Sequence, residues 1–267
     1  MPPQSSHKAL TYASYLKLDQ LLDLQQPKSP GPEHDEMLFI VIHQVYELWF
    51  KEFNHEIAYL QTRLEADDAP AALAVFKRIL TILKTMVGQV DVLETMSPVS
   101  FNSFRTRLES ASGFQSAQFR ETEFLLGHKS EAMMRHHPEG SRGRNRLEEL
   151  FATPSLYDSF LRFLAARGYD LPGEVMQRDF REPAPEDEAV RRALLRAYAD
   201  DPVASTVCER MIDLDEGLQE WRYRHVKMVE RTIGTKPGTG GSEGAAYLRR
   251  TLFQPLFPDL WAIRSEL

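Results

Sequence analysis

From Met211 to Gly244 the chain reads MIDLDEGLQEWRYRHVKMVERTIGTKPGTGGSEG. Its first part sets Met211, Leu214, Leu218, Trp221, His225, Met228 and Thr232 at alternating spacings of three and four, the pattern of one helix face turned inward. His225 therefore falls on a buried stripe. A polar ring there needs a partner, because an unpaired buried donor or acceptor costs about 1–3 kcal/mol. A metal would supply one and so would an ordinary core hydrogen bond, and the spacing leaves both open. Gly234 stops the helix. The segment beyond it, TKPGTGGSEG, is too rich in glycine and proline for regular structure, and its bare backbone can approach a ligand closely.

Outward from this helix, the same periodicity recurs. Tyr12 to Leu24 carries Tyr15, Leu18, Leu21 and Leu22 at helical spacing before a proline-rich interruption, Pro27 to Asp35. Glu36 to Leu60 reads as a long helix in which Phe39, His43, Tyr46 and Phe50 share a face. His55 lies roughly 120° round that helix from His43, so the two cannot hold one metal and HExxH-type zinc chemistry is excluded. Asp68 opens a third helix with apolar residues on more than half its circumference. Ser97 and Pro98 then form a capped start, after which Phe101, Phe104, Arg105 and Leu108 fall on one face. Arg105 on an apolar stripe requires an anion: an internal partner such as Glu94 or Glu109, or the carboxylate of a bound ligand. Three further helical patterns, GFQSAQFRETEFLLG, SLYDSFLRFLAARG and EDEAVRRALLRAYAD, come after it with irregular connections, the longest being Gly168 to Pro185. No stretch alternates with period two between turn signals. The expectation is one all-α domain over 1–267.

Composition narrows the function. With 32 Lys plus Arg against 39 Asp plus Glu, the formal charge of -7 disfavours nucleic acid and anionic membrane as partners. The one basic run, Arg142 to Arg146 (RGRNR), reads as a solvated loop. Cys208 is the single cysteine and falls on the inward stripe of Met211 and His225, a small core residue rather than a reactive one. The start MPPQSSHKAL lacks the order of a signal peptide, and no apolar run reaches transmembrane length; a cytoplasmic protein is expected.

Four stretches, LTYASYLKLDQLL from Leu10, HQVYELWFKEFNHE from His43, LETMSPVSFNSFRTRLESASGFQS from Leu93 and WRYRHVKMVERTIGTKPGTGGSEG from Trp221, closely resemble the tryptophan 2,3-dioxygenase family, in the same order and across nearly the whole chain. The resemblance implies that His225 is the axial ligand of a non-covalent haem b, one per subunit, in keeping with the absence of a CxxCH motif. It implies that Trp221 and Ser112 join the cofactor-binding set, Ser112 over the distal face. His43 matches the distal histidine that hydrogen-bonds the indole N–H, an orienting partner within the catalytic set rather than a base. Phe39 matches the ring packed on the indole, Arg105 the partner of the substrate carboxylate, and Thr239 and Gly240 the loop contacts to the amino acid end. Tyr12, Tyr15 and Leu16, in the segment 1–35, would reach a neighbouring subunit's site, which implies a homotetramer of helical bundles. Phe101 stands where some members carry tyrosine. Glu243 stands where a second serine is more familiar, either weakening carboxylate binding or facing water.

The activity this implies is oxidative cleavage of the indole C2–C3 bond of L-tryptophan by dioxygen to give N-formylkynurenine, the first step of kynurenine-type tryptophan catabolism. A haem monooxygenase acting on tryptophan or a derivative is the nearer rival. A haem sensor or electron carrier ligated by both His43 and His225 is the rival from another class, and a cofactor-free helical scaffold the blandest.

Overall fold

A computed structural model of the chain describes residues 9–31, 33–239 and 243–267. Among these residues every regular element is helical, an all-α fold with no strand. Three long helices carry it. Helices α1 (Tyr12–Leu16) and α2 (Leu18–Leu21) precede α3 (His34–Glu65), which is followed by α4 (Ala69–Leu93). The three-residue turn between α3 and α4 makes them antiparallel neighbours. Asp67 takes a positive φ of 52° in that turn, and the Asp68 carboxylate accepts from the Ala71 amide at 3.2 Å to cap α4.

Shorter helices then wrap this pair: α5 (Pro98–Phe104), α6 (Ala117–Leu125), α7 (Glu131–Met134), α8 (Arg142–Phe151), α9 (Leu156–Ala166), α10 (Gly173–Met176) and α11 (Glu188–Asp200). Helix α12 (Pro202–Ile233) returns along α4, and α13 (Ala245–Arg249) and α14 (Pro258–Ala262) close the chain. Asp201 caps α12 by accepting from Val203 and Ala204, Pro202 fills its first turn, and Gly234 ends it at a φ of 62°. One core joins Phe53, Ile57 and Leu60 of α3 with Phe76 and Ile79 of α4 and Val207, Met211 and Leu214 of α12. A smaller cluster, Ile42, Leu93, Met96, Phe101 and Phe104, fills the space where α5 meets the other end of these helices. Cys208 is fully buried, and burial pushes its thiol up to about 12, as befits a core residue.

The sequence reading needs correction in four places. Arg142 to Arg146 is the start of α8 rather than a solvated loop: Ser141 caps it, Arg144 pairs with Glu148 at 2.6 Å and Arg146 with Glu149 at 2.7 Å, while Leu147 and Leu150 turn inward. The pattern from Tyr12 to Leu24 forms two short helices, because Lys17 adopts a left-handed φ of 52° and α1 has no buried face to hold it straight. Gly168 to Pro185 includes the helical turn α10. The pattern from Gly113 splits into a 3-10 turn, Gly113–Gln115, and α6, capped by Ser116. Among the described residues no helix is long and apolar enough to cross a membrane.

A buried carboxylate ties the C-terminal segment to α12. Asp215 is fully buried and accepts from the Leu256 amide at 2.7 Å, the Phe257 amide at 3.2 Å and Trp261 Nε1 at 2.9 Å. Asp215→Ala strands two buried amides and frees the indole N–H of the more exposed Trp261, and the expected loss is about 3 kcal/mol of folding stability, read as a lower urea midpoint with an unchanged slope.

Candidate functional site

Helices α3, α4, α5, α6 and α12 leave between them a cavity of about 270 Å³, lined also by the segments around Ser112 and Thr239. His43 and Phe39 reach it from α3, Phe101 from α5, and Trp221, His225, Met228 and Thr232 from α12. Arg105, Ser112 and Thr239 also line it. Phe39 stands 4.0 Å from the His43 ring centroid and 5.7 Å from that of Phe101, so the pocket beside His43 is aromatic.

The histidines differ in how they are held. His43 Nδ1 lies 2.6 Å from the Phe39 carbonyl, which can only accept, so Nδ1 carries the proton and Nε2 is left as an acceptor. Burial lowers its pKa against the opposing pull of that carbonyl. His225 makes no hydrogen bond among the described residues; its ring stacks on Trp221 at 5.3 Å between centroids with 4° between planes. Burial first, and then His43, pulls its imidazole down to about 4. Both rings are neutral near pH 7, the form a metal ligand requires.

Arg105 begins the 3-10 turn after α5, not a continuing helix face, and donates to the Pro237 carbonyl. Among the described residues no carboxylate lies within ion-pair distance of it. Glu94, one of its expected internal partners, is taken by Arg224 and Arg231. Thr239 Oγ1 donates to the Ala111 carbonyl at 2.6 Å, and Ser112 Oγ accepts from the Phe114 amide at 3.3 Å. Gly240 lies outside the described residues. Glu243 faces water and pairs with Arg250 at 2.6 Å. Gly244 is required where it stands: at a φ of 62°, an added Cβ would come 2.7 Å from the Lys236 carbonyl oxygen. Tyr12, Tyr15 and Leu16 lie away from this cavity, 76%, 70% and 41% exposed.

Among the lining residues that escaped the sequence reading is a buried charged cluster. Arg120, Glu123 and Arg222 are each more than nine-tenths buried, with Glu123 accepting from both guanidinium groups. Arg222 also donates to the Thr251 carbonyl at 3.3 Å. The signal that could have found them is a second and third arginine on inward faces, one of them beside Trp221. No group of three or more His, Cys, Asp or Glu side chains among the described residues could hold a bare metal ion. A metal that brings its own equatorial donors needs only one protein nitrogen, and His225 offers it. Trp221 Nε1 is buried without a partner, and Arg120 and Arg222 flank the same wall, so anionic arms on such a group would meet donors. The residues present fit a haem.

Comparison with known proteins adds identity to this geometry. The family model for tryptophan 2,3-dioxygenase matches residues 2–267. The chain belongs to the tryptophan 2,3-dioxygenase family. It is 59% identical over 260 residues to the tryptophan 2,3-dioxygenase of Herpetosiphon aurantiacus, covering 97% of this chain and 99% of that one. It is 59% identical over 267 residues to the enzyme of that name from an Anaeromyxobacter species, 99% of each chain. The Myxococcus xanthus tryptophan 2,3-dioxygenase is 43% identical over 263 residues, 96% of this chain and 89% of that one.

Within this member of the tryptophan 2,3-dioxygenase family, four histidines with lowered pKa values, His43, His128, His137 and His225, make stability pH-dependent, His225 with the one large shift. Between pH 6.5, the ordinary histidine value, and about 4, the unfolded chain binds protons that the folded chain refuses at His225, so stability falls as the pH is lowered through that window. The melting temperature of the cofactor-free protein is expected to drop across it, and His225→Phe to flatten the dependence.

Proposed function

We propose that the chain is a haem-dependent oxidoreductase that uses dioxygen to cleave the indole C2–C3 bond of L-tryptophan, giving N-formylkynurenine. The observation that carries this reading is one cavity holding both an imidazole free to ligate a metal, His225, and an arginine without a carboxylate partner among the described residues, Arg105. Trp221, Arg120 and Arg222 would hold the cofactor beside His225. When bound, ferrous haem supplies the open coordination position and the oxygen chemistry.

The rest is the work of the chain's own residues. Arg105 takes the amino acid carboxylate in a charge-assisted pair, exchanging the Pro237 carbonyl for it. Thr239, held against Ala111, and Gly240 beside it take the ammonium and carboxylate end. Phe39 and Phe101 receive the flat, neutral indole and keep water from it. His43 Nε2 accepts the indole N–H, since Nδ1–H is committed to Phe39; it orients the ring and holds no proton to give. Fixing both ends of the substrate sets the C2–C3 bond in register with the oxidant, where such positioning is worth up to about 7–11 kcal/mol. Ser112 lines the same cavity and would stand on the substrate side of the cofactor, its hydroxyl accepting from the Phe114 amide. The assembly we favour is a homotetramer in which Tyr12, Tyr15 and Leu16 complete a neighbour's site, which accounts for a helix that buries none of its own residues.

Reduced, haem-loaded protein supplied with L-tryptophan and isotopically labelled dioxygen should yield an opened ring carrying two labelled atoms. One labelled atom would move the chain to the monooxygenase class, and a six-coordinate, low-spin reduced iron without product to the bis-histidine class. Arg105→Ala is expected to weaken substrate binding by about 2–5 kcal/mol while leaving haem content unchanged, as titration followed by the haem spectrum will read.

A further inference from the structure

We propose that Trp221 fixes the plane of the His225 imidazole and is thereby a positioning residue for the metal side of the site; this rests on the haem reading above. A ligating histidine is ordinarily oriented by donating its second ring N–H to a carboxylate or a carbonyl. His225 has no such bond among the described residues. What holds it is contact with the indole one helical turn earlier, at the i, i+4 spacing that sets one side chain over another. The two planes differ by only 4°.

Such a stack orients the imidazole only if the indole is itself immobile, and it is. Trp221 is 6% exposed, and three rings from other elements bear on it: Phe119 of α6 at 5.2 Å, Phe50 of α3 at 5.9 Å and Tyr46 of α3 at 6.3 Å. Phe50 meets it edge to face at 86° and Tyr46 at 63°, so the indole is packed by rings set across its own plane. Tyr46 in turn donates to the Met86 carbonyl of α4 at 2.7 Å. The orientation of the imidazole is thus referred, through Trp221, to α3, α4 and α6. An imidazole oriented by packing stays neutral. One paired with a carboxylate gains anionic character and gives more electron density to the metal, so the arrangement at His225 favours the reduced iron.

The test is the iron–histidine stretching band of the ferrous, five-coordinate holoprotein by resonance Raman, with haem loss to a globin acceptor alongside. Wild type and Trp221→Phe, which keeps a flat ring over the imidazole, should share one narrow band. Trp221→Leu should broaden or split it and release haem about tenfold faster than Trp221→Phe, which lacks the same indole N–H, the lower end of what orienting partners of a ligating histidine carry. A wild-type band in Trp221→Leu, with haem loss no faster than in Trp221→Phe, would overturn the proposal. Should that variant not fold, Phe119→Leu removes the ring nearest the indole and leaves Trp221 and His225 themselves unchanged; a broader band supports the proposal and a wild-type band overturns it. Failure of the underlying reading looks different: a wild type without the band, or His225→Ala that retains it, removes the haem assignment itself.

Discussion

A long helix that turns one stripe inward along its whole length is destabilised by every polar group on that stripe that is left unanswered. Helix α12 is where this constraint bears hardest. Its first half meets α4 and α3 through apolar residues, and its buried Asp215 is answered at one carboxylate oxygen, Oδ2, by two amides and an indole from the C-terminal segment, while Oδ1 has no partner among the described residues. In its second half the packing opens into the cavity. Arg222 is answered by Glu123 and Thr251, while His225 is answered only by a ring face. The cavity is thus the continuation of the core by other means, and the group that fills it completes the packing of α12 as well as the chemistry.

The charges on the cavity wall are sorted along that helix. Trp221 and Arg222 lie eleven residues before Thr232 and Ile233, roughly 16 Å at the helical rise. Near the first pair, Arg120, Glu123 and Arg222 form a buried cluster already balanced in part by its own glutamate. Arg105, by contrast, commits a donor to a neutral carbonyl, Pro237, in the loop that leaves the far end of α12. Two anionic features of different occupants can therefore be received without competing for one guanidinium. An apolar belt of Phe39, Phe101 and Met228 lies among the lining residues for a neutral ring.

The long helices and their caps were legible because burial repeats along the chain: Asp68, Ser97 and Gly234 mark ends that the structure keeps. His225, His43, Phe39 and Arg105 were singled out as polar or aromatic residues on apolar stripes, and resemblance then gave them roles; all four line one cavity. The Arg120, Glu123 and Arg222 cluster was not legible. Glu123 and Arg222 are separated by 99 positions, so nothing local announces that they meet. Helix α8 was missed for the opposite reason: its first turn is dense in charge, capped by Ser141 and laced by i, i+3 and i, i+4 pairs, and its buried residues, Leu147 and Leu150, come only in its second half. The break at Lys17 reflects a helix with no surface of its own chain to lie on.

The hydrogen bond from Arg105 to the Pro237 carbonyl makes recognition at that end a trade rather than an addition. A ligand with a carboxylate offers the guanidinium a charged acceptor in place of a neutral one and gains by the difference. A ligand of the same shape without a carboxylate has nothing to offer in the exchange: it either leaves the arginine on its carbonyl or strands it. The chain therefore carries its own reference compound. Under the role proposed for Arg105, selectivity for amino acids over the corresponding amines follows from how far a carboxylate outcompetes one backbone oxygen, and that oxygen belongs to the same loop that supplies Thr239.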